Sequence, residues 1–141
     1  MTDESFSILE GTIDSRPFIA MINAALRGFR GKKTLPFFLS IGTAVENPTS
    51  NGLPTSTEAD DLNKWEEGVE ARLIGAGRFV FVGRVTWNGQ RELLYYVERK
   101  EPFTAALKAF SVQQSARPFN FSCEEDSGWD RAAFWLDRCR P

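Results

Sequence analysis

RFVFVGRVTWNGQRELLYYVER, residues Arg78–Arg99, is two β-rich runs joined by one turn. Valine, threonine and aromatic residues dominate both runs, and these side chains suit a pleated, packed surface. Asn88-Gly89 tolerates positive φ at consecutive positions, which a two-residue hairpin turn requires. Strict alternation puts Phe79, Phe81, Val85 and Trp87 on one face of the first strand and Val80, Val82, Arg84 and Thr86 on the other. The second strand divides into Leu93, Tyr95 and Val97 against Leu94, Tyr96 and Glu98. Both faces are partly apolar, so the sheet needs cover on two sides.

On the N-terminal side of this hairpin, Thr55-x-x-Glu58 has the form of a capping box, with hydroxyl and carboxylate answering amides that the first helical turn leaves unpaired. A helix is expected from there to about Ile74, with Leu62, Trp65, Val69 and Leu73 on one stripe and Asp60, Asp61, Lys64, Glu67 and Arg72 in water. Gly75 and Gly77 stop it. The loop Asn47–Thr55 holds Asn51-Gly52-Leu53-Pro54, and before it the apolar run Pro36–Ala44 reads as a strand buried on both faces. Phe6–Ile13 and Pro17–Ile22 flank Asp14-Ser15-Arg16 and read most simply as a further hairpin. A helix over Pro17–Leu26 also fits, since Phe18, Met21, Ala25 and Leu26 approximate a helical stripe.

On the C-terminal side, Pro102 suits a first helical turn, and Phe103, Ala106, Leu107 and Phe110 follow at helical spacing. Pro118–Cys123 reads as a short strand. Asp126 or Ser127 is placed to cap a last helix carrying Trp129, Ala132, Trp135, Leu136 and Cys139. From Pro36 the order is strand, helix, strand, strand, helix, strand, so the expected fold class is α+β, a ferredoxin-like βαββαβ sandwich. One domain, 1–141, is expected: an N-terminal β-hairpin extension over 1–35, the ferredoxin-like unit over 36–124 and a C-terminal helix over 125–141. Two helices cover one sheet face. The second falls to the terminal additions, another subunit or a ligand.

Composition sets limits on chemistry. The 141 residues contain no His, which removes Ser-His-Asp and Cys-His nucleophiles, His-ligated zinc and His proton shuttles from within this chain. Cys123 and Cys139 are isolated thiols without C-x-x-C spacing, so neither a disulfide framework nor a zinc site is expected. A net charge of -2 gives no general attraction to phosphate backbones, and the basic cluster Arg27, Arg30, Lys32 and Lys33 is interrupted by Gly28 and Gly31. The start, Met1-Thr2-Asp3-Glu4, is acidic and lacks a signal peptide's basic flank, and no apolar run approaches a membrane span. A cytoplasmic protein without cofactor, metal or membrane contact is the expectation.

Several of these features occur together in one known family. Asn51-Gly52-Leu53-Pro54, the helix with Glu58 and Leu62, Val82-Gly83-Arg84-Val85-Thr86, Gly89, Arg91, Tyr95-Tyr96, and Asp126 with Trp129 together resemble the bacterial family catalogued as domain of unknown function 695 (DUF695). The likeness covers nearly the whole chain. Where that family shows Asp-Pro before its C-terminal Trp, this chain has Asp126-Ser127-Gly128-Trp129. The resemblance implies a fold and no activity. More distantly, the arrangement is similar to that of regulator of ribonuclease activity B, an inhibitor that acts by binding an enzyme.

The leading expectation is a noncatalytic protein-interaction or regulatory module that binds a protein partner, or a second copy, through the open sheet face. Its candidate binding residues are Arg84, Trp87, Arg91, Tyr96, Asp126 and Trp129. An alternative is a carboxylate-based or Mg²⁺-assisted enzyme centred on Glu124, Glu125, Asp126 and Asp130; the competing reading of that run is a solvated turn beside a helix N-terminus. A third is weak single-stranded RNA binding, with Tyr96 stacking a base and Arg84 holding phosphate, which the acidic net charge opposes.

Overall fold

In the computed structural model, which describes residues 4–113 and 117–139, six strands and three α-helices follow in the order β1 (Phe6–Ile13), β2 (Arg16–Asn23), β3 (Phe37–Ala44), α1 (Ser56–Leu73), β4 (Phe79–Trp87), β5 (Gln90–Val97), α2 (Lys100–Gln113), β6 (Asn120–Glu125) and α3 (Asp130–Leu136). Met1, Thr2 and Asp3 of the acidic start lie outside the described residues. Short 3₁₀ turns at Ala24–Gly28 and Lys32–Thr34 link β2 to β3. The N-terminal segment is thus a hairpin, and the helix considered over Pro17–Leu26 is confined to the turn after Asn23. Asp14-Ser15 and Asn88-Gly89 all take positive φ, the conformation that lets a two-residue turn follow the strand twist. The last strand lies two residues later than the Pro118–Cys123 expected. No described helix is long and apolar enough to cross a membrane.

The six strands form one antiparallel sheet in the order β1-β2-β4-β5-β3-β6. α1 and α2 cover one face over β4, β5, β3 and β6. There Trp65, Val69, Leu73, Phe103, Leu107 and Phe110 pack on Leu39, Ile41, Leu93, Tyr95, Val97 and Cys123. The loop before α1 rests on the β4–β5 turn, where the Gly89 N–H donates to the Gly52 carbonyl at 2.9 Å. A side chain at Gly52, whose φ is +79°, would start 3.1 Å from the Asn88 Cα, so the contact needs glycine.

The alternation expected along Arg78–Trp87 is overturned at Gly83. A β-bulge between Phe81 and Gly83 inserts one residue relative to β5 and reverses the parity of everything after it. Val85 and Trp87 therefore join Val80 and Val82 on the face away from α1, while Arg84 and Thr86 turn toward α1 with Phe79 and Phe81. Gly83 also permits the close approach of β2, since a Cβ there would sit 2.2 Å from the Met21 carbonyl oxygen.

The second apolar face is filled by the chain itself. Leu26 and Leu35 from the β2–β3 connection and Trp129, Ala132, Leu136 and Cys139 from the α3 segment pack on Phe18, Ala20, Ile22, Phe38, Val82, Leu94 and Tyr96. The sheet face expected to be open for a partner is a closed core, sealed by the N- and C-terminal additions.

Gly83→Ala is expected to lower the unfolding free energy by about 3 kcal/mol, the upper range of overpacking penalties, because backbone carbonyl is what the new methyl meets. Equilibrium urea denaturation read by circular dichroism measures this, and an unchanged midpoint would contradict the close approach of β2.

Candidate functional site

Three of the expected binding residues meet beneath α3. Tyr96 is completely buried and stacks on Trp129 with ring centroids 4.0 Å apart and planes 9° from parallel. Its hydroxyl donates to Asp126 Oδ2 at 2.7 Å and accepts from the Ala132 N–H at 3.2 Å. Trp129 is 1% exposed and donates its indole N–H to the Leu35 carbonyl. Asp126 accepts from the Asp130 and Arg131 amides at 3.0 Å each, so it caps α3 as expected, although α3 itself begins only at Asp130. Burial raises the Asp126 pKa, but the Tyr96 hydroxyl and the two amides outweigh it and hold the carboxyl below its ordinary range. Burial and the bond to Asp126 push the Tyr96 phenol far upward. This group fastens α3 to the sheet; neither ring is open to a base or a partner side chain.

The acidic run does not converge. Glu124, Glu125 and Asp130 are exposed, Glu124 accepts from Arg131 at 2.9 Å, and Asp126 alone turns inward. Among the described residues no group of three or more Asp, Glu, Cys or His side chains is placed to hold a metal ion.

Arg84 and Trp87, expected along one rim with Tyr96, lie on opposite faces of β4, and the bulge puts Trp87, not Arg84, on the Tyr96 side. Trp87 lies on the α3 side and donates to the Ile13 carbonyl at 3.0 Å. Arg84 and Arg91 lie on the α1 side, where both donate to the same Asn63 Oδ1, at 2.9 and 3.2 Å. Arg91 also donates to Thr86 Oγ1, and Arg84 reaches Glu66 at 3.4 Å and the Met21 sulfur at 3.3 Å. Burial, then the neighbouring Arg84, lowers the Arg91 pKa. Burial raises that of Glu66 despite both arginines.

A buried ion pair, Glu58 with Arg117, escaped the sequence reading. Thr55 Oγ1 accepts from the Glu58 N–H as a cap should, but the Glu58 carboxylate does not complete the expected reciprocal box. It accepts from the Glu46 and Asn47 amides at 2.5 and 2.8 Å and pairs with Arg117 at 3.3 Å. Burial raises the Glu58 pKa, and the Asn47 and Glu46 amides with Arg117 more than reverse that. The capping motif pointed to Glu58, but no local pattern marks Arg117, 59 residues away. Beside the pair, a cleft of about 410 Å³ opens between α1 and α2 over Trp65, Gly68 and Phe110, rimmed by Glu46, Asp61, Lys64 and Arg117. The Trp65 indole N–H is buried without a hydrogen-bond partner among the described residues. The rim mixes both charges and presents no nucleophile with its base.

Among the described residues, exposed large apolar side chains gather on the β1–β2 hairpin, on the α1 side of the sheet. Neither strand contributes to the core under α1 and α2. Phe6, Ile8 and Ile19 are 39%, 61% and 39% exposed there, and Ile8 lies opposite the half-buried Met21. On the reverse of the same strands Phe18, Ala20 and Ile22 are buried. Phe81 continues the shelf inward, its ring 6.0 Å from that of Phe6. The signal in the sequence was the mixed parity of β1, where Phe6 and Ile8 alternate with Ser7 and Leu9; the run reads as a strand but does not say which face stays open.

Tyr96→Phe is expected to cost about 2 kcal/mol, since it leaves the Asp126 carboxylate and the Ala132 amide each short of a partner. Thermal unfolding of the variant measures it. Glu58→Gln is expected to cost about 3 kcal/mol at pH 7, because it removes the carboxylate charge that pairs with the buried Arg117 guanidinium. The pH dependence has a definite sign. The folded Glu58 pKa is depressed, so its contribution is complete above the ordinary value of 4.5 and declines as pH falls below it. Denaturation at a series of pH values should therefore show the gap between wild type and variant closing on acidification; a constant gap would refute the assignment.

Residues 6–134 match the model of a family described as a family of unknown function, DUF695. No curated protein and no solved structure gives a significant match. With most of its length under that model, sheet, α1 and α2 included, the chain belongs to the DUF695 family.

Proposed function

We propose that this chain is a noncatalytic protein-interaction module that docks a partner on the α1-side shelf of the β1–β2 hairpin. The observation that carries the reading is the exposure of Phe6, Ile8 and Ile19 side by side on strands whose other face is core. Contiguous exposed apolar side chains rimmed by charge mark interaction sites more often than isolated ones do. The docking surface thus lies on the opposite face from the one expected from sequence, beside Arg84 and away from Tyr96 and Trp129.

The finer architecture we read as a ferredoxin-like unit over 36–124 extended at one edge by β1–β2. What supports this is the order β4-β5-β3-β6 for the four strands of that unit, with α1 and α2 on one side. The distant resemblance to an inhibitor that works by binding an enzyme points the same way as analogy. Two buried free thiols, Cys123 and Cys139, favour a reducing, cytoplasmic setting. The carboxylate-enzyme and RNA-binding readings draw less support, since the acidic side chains diverge and Tyr96 is enclosed.

The test is Ile8→Asp with Ile19→Asp. Both positions are exposed, so the doubly substituted chain should keep the wild-type circular dichroism spectrum and thermal midpoint. A partner retained by the immobilised wild-type chain should be lost from the variant. Retention of the same partner by both would overturn the shelf as the docking surface.

A further inference from the structure

The width of the shelf and the charges around it specify what covers it. Neighbouring strands lie about 4.8 Å apart, so a helix of about 10 Å diameter covers two of them. α1 and α2 account for β4, β5, β3 and β6 in this way, leaving β2 and β1 as the width of one more helix. β1 and β2 have 8 residues each, about 27 Å of strand, which matches about 18 residues of helix. α1 itself has 18.

The rim of this space is acidic. Glu10 stands opposite Ile19 on the hairpin, and Glu4 and Glu70 line the hollow beside Phe81. Glu66 projects from α1 toward the same side, where Arg84 is its cation and is already held by Asn63 and Met21. A helix docking here meets an apolar floor of Phe6, Ile8, Ile19 and Met21, with Glu10 on the outer strand, Glu4 and Glu70 at the hollow beside Phe81 and Glu66 on α1.

We propose that the shelf receives one amphipathic α-helix of another protein, laid beside α1 with its apolar stripe on Ile8 and Ile19 and lysine or arginine along both flanks. This rests on the reading of the shelf as a docking surface and adds the form and charge of the occupant. Packed helices lie 8–10 Å apart, so the new helix would also touch α1 at Asn63, Glu66 and Glu70. Complementary charge steers such an encounter and makes it weaken with salt.

The experiment uses two synthetic peptides of 18 residues, each about one strand length long as helix, with identical leucine and alanine stripes and either lysine or glutamate at every other position. Fluorescence anisotropy with the full chain at low salt should show the lysine peptide binding at least about ten-fold more tightly than the glutamate peptide, with the gap shrinking at high salt. Ile8→Asp with Ile19→Asp should abolish binding. Glu10→Lys with Glu70→Lys should reverse the preference, whereas Glu124→Lys with Glu125→Lys, on the far edge of the sheet, should leave it unchanged. Equal binding of both peptides at an intact shelf, lost with the aspartate pair, would overturn the basic-helix assignment while leaving the docking surface standing. Binding of the lysine peptide that survives the aspartate pair, binding of neither peptide, or self-association of the chain through Ile8 and Ile19 would overturn the assignment as well. Of these, the first two also count against the shelf as the docking surface.

Discussion

A sheet whose central strands are apolar on both faces must be covered twice, and every other feature of this molecule follows from how that is done. β5 carries Leu93, Tyr95 and Val97 toward one side and Leu94 and Tyr96 toward the other, all buried. Leaving either side in water would expose several large side chains at about 1.5–3 kcal/mol each. Two long helices meet the demand on one side. On the other, a seven-residue helix and an irregular segment do so, and such short elements need anchoring that their own backbone cannot supply. The Tyr96–Asp126–Trp129 group is that anchor. It ties the first turn of α3 to the C-terminal end of β5 through one phenol and one carboxylate.

The parts of this arrangement with local chemistry were readable from the sequence. Asn88-Gly89 and Asp14-Ser15 set their turns through positive φ, Thr55 capped its helix, and Leu62, Trp65, Val69 and Leu73 showed the buried stripe of α1. The exception was the parity of β4. An isolated glycine inside a strand is a known sign of a bulge, and Gly83 carried that sign, but what makes the bulge obligatory is the Met21 carbonyl of a strand about 60 residues earlier. Alternation is a rule about one strand in isolation, so it fails where another strand comes close. The same limit applies to Glu58 and Arg117, and to Leu26 and Leu35. The latter two flank the basic cluster Arg27, Arg30, Lys32 and Lys33, whose pattern marks no core position, yet both are fully buried lids on the second core.

The bulge also shapes the candidate site. Without it Arg84 would lie under the α3 cover, where the surrounding side chains are apolar, and Val85 would face α1. By reversing the parity it delivers Arg84 to the α1 side, where Asn63 and Glu66 accept its hydrogen bonds, and sends Val85 and Trp87 into the second core. A single inserted residue thus places one charge where it is partnered and one aliphatic side chain where it is dry. Arg84 then becomes the inner border of the shelf, marking where the helical cover ends and the open strands begin.

The open strands are also an edge of the sheet, and an edge invites pairing with a second copy of itself. A two-fold axis normal to the sheet keeps each residue on its own face, so antiparallel partners in β1 must share parity. With Glu10 on the axis, two carboxylates face each other directly. With Leu9 there, Glu10 falls opposite Ile8, and with Ile8 there, Glu10 falls opposite Phe6. Each of these three registers sets a carboxylate against its twin or against the most exposed apolar side chains of the strand. Glu10 therefore works against self-pairing at the edge, and it does so without covering the face beside it. A charged side chain on an edge strand commonly serves that purpose. Here the carboxylate shares its face with Ile8 and Ile19, so the same side chain that borders the apolar surface disfavours these edge pairings.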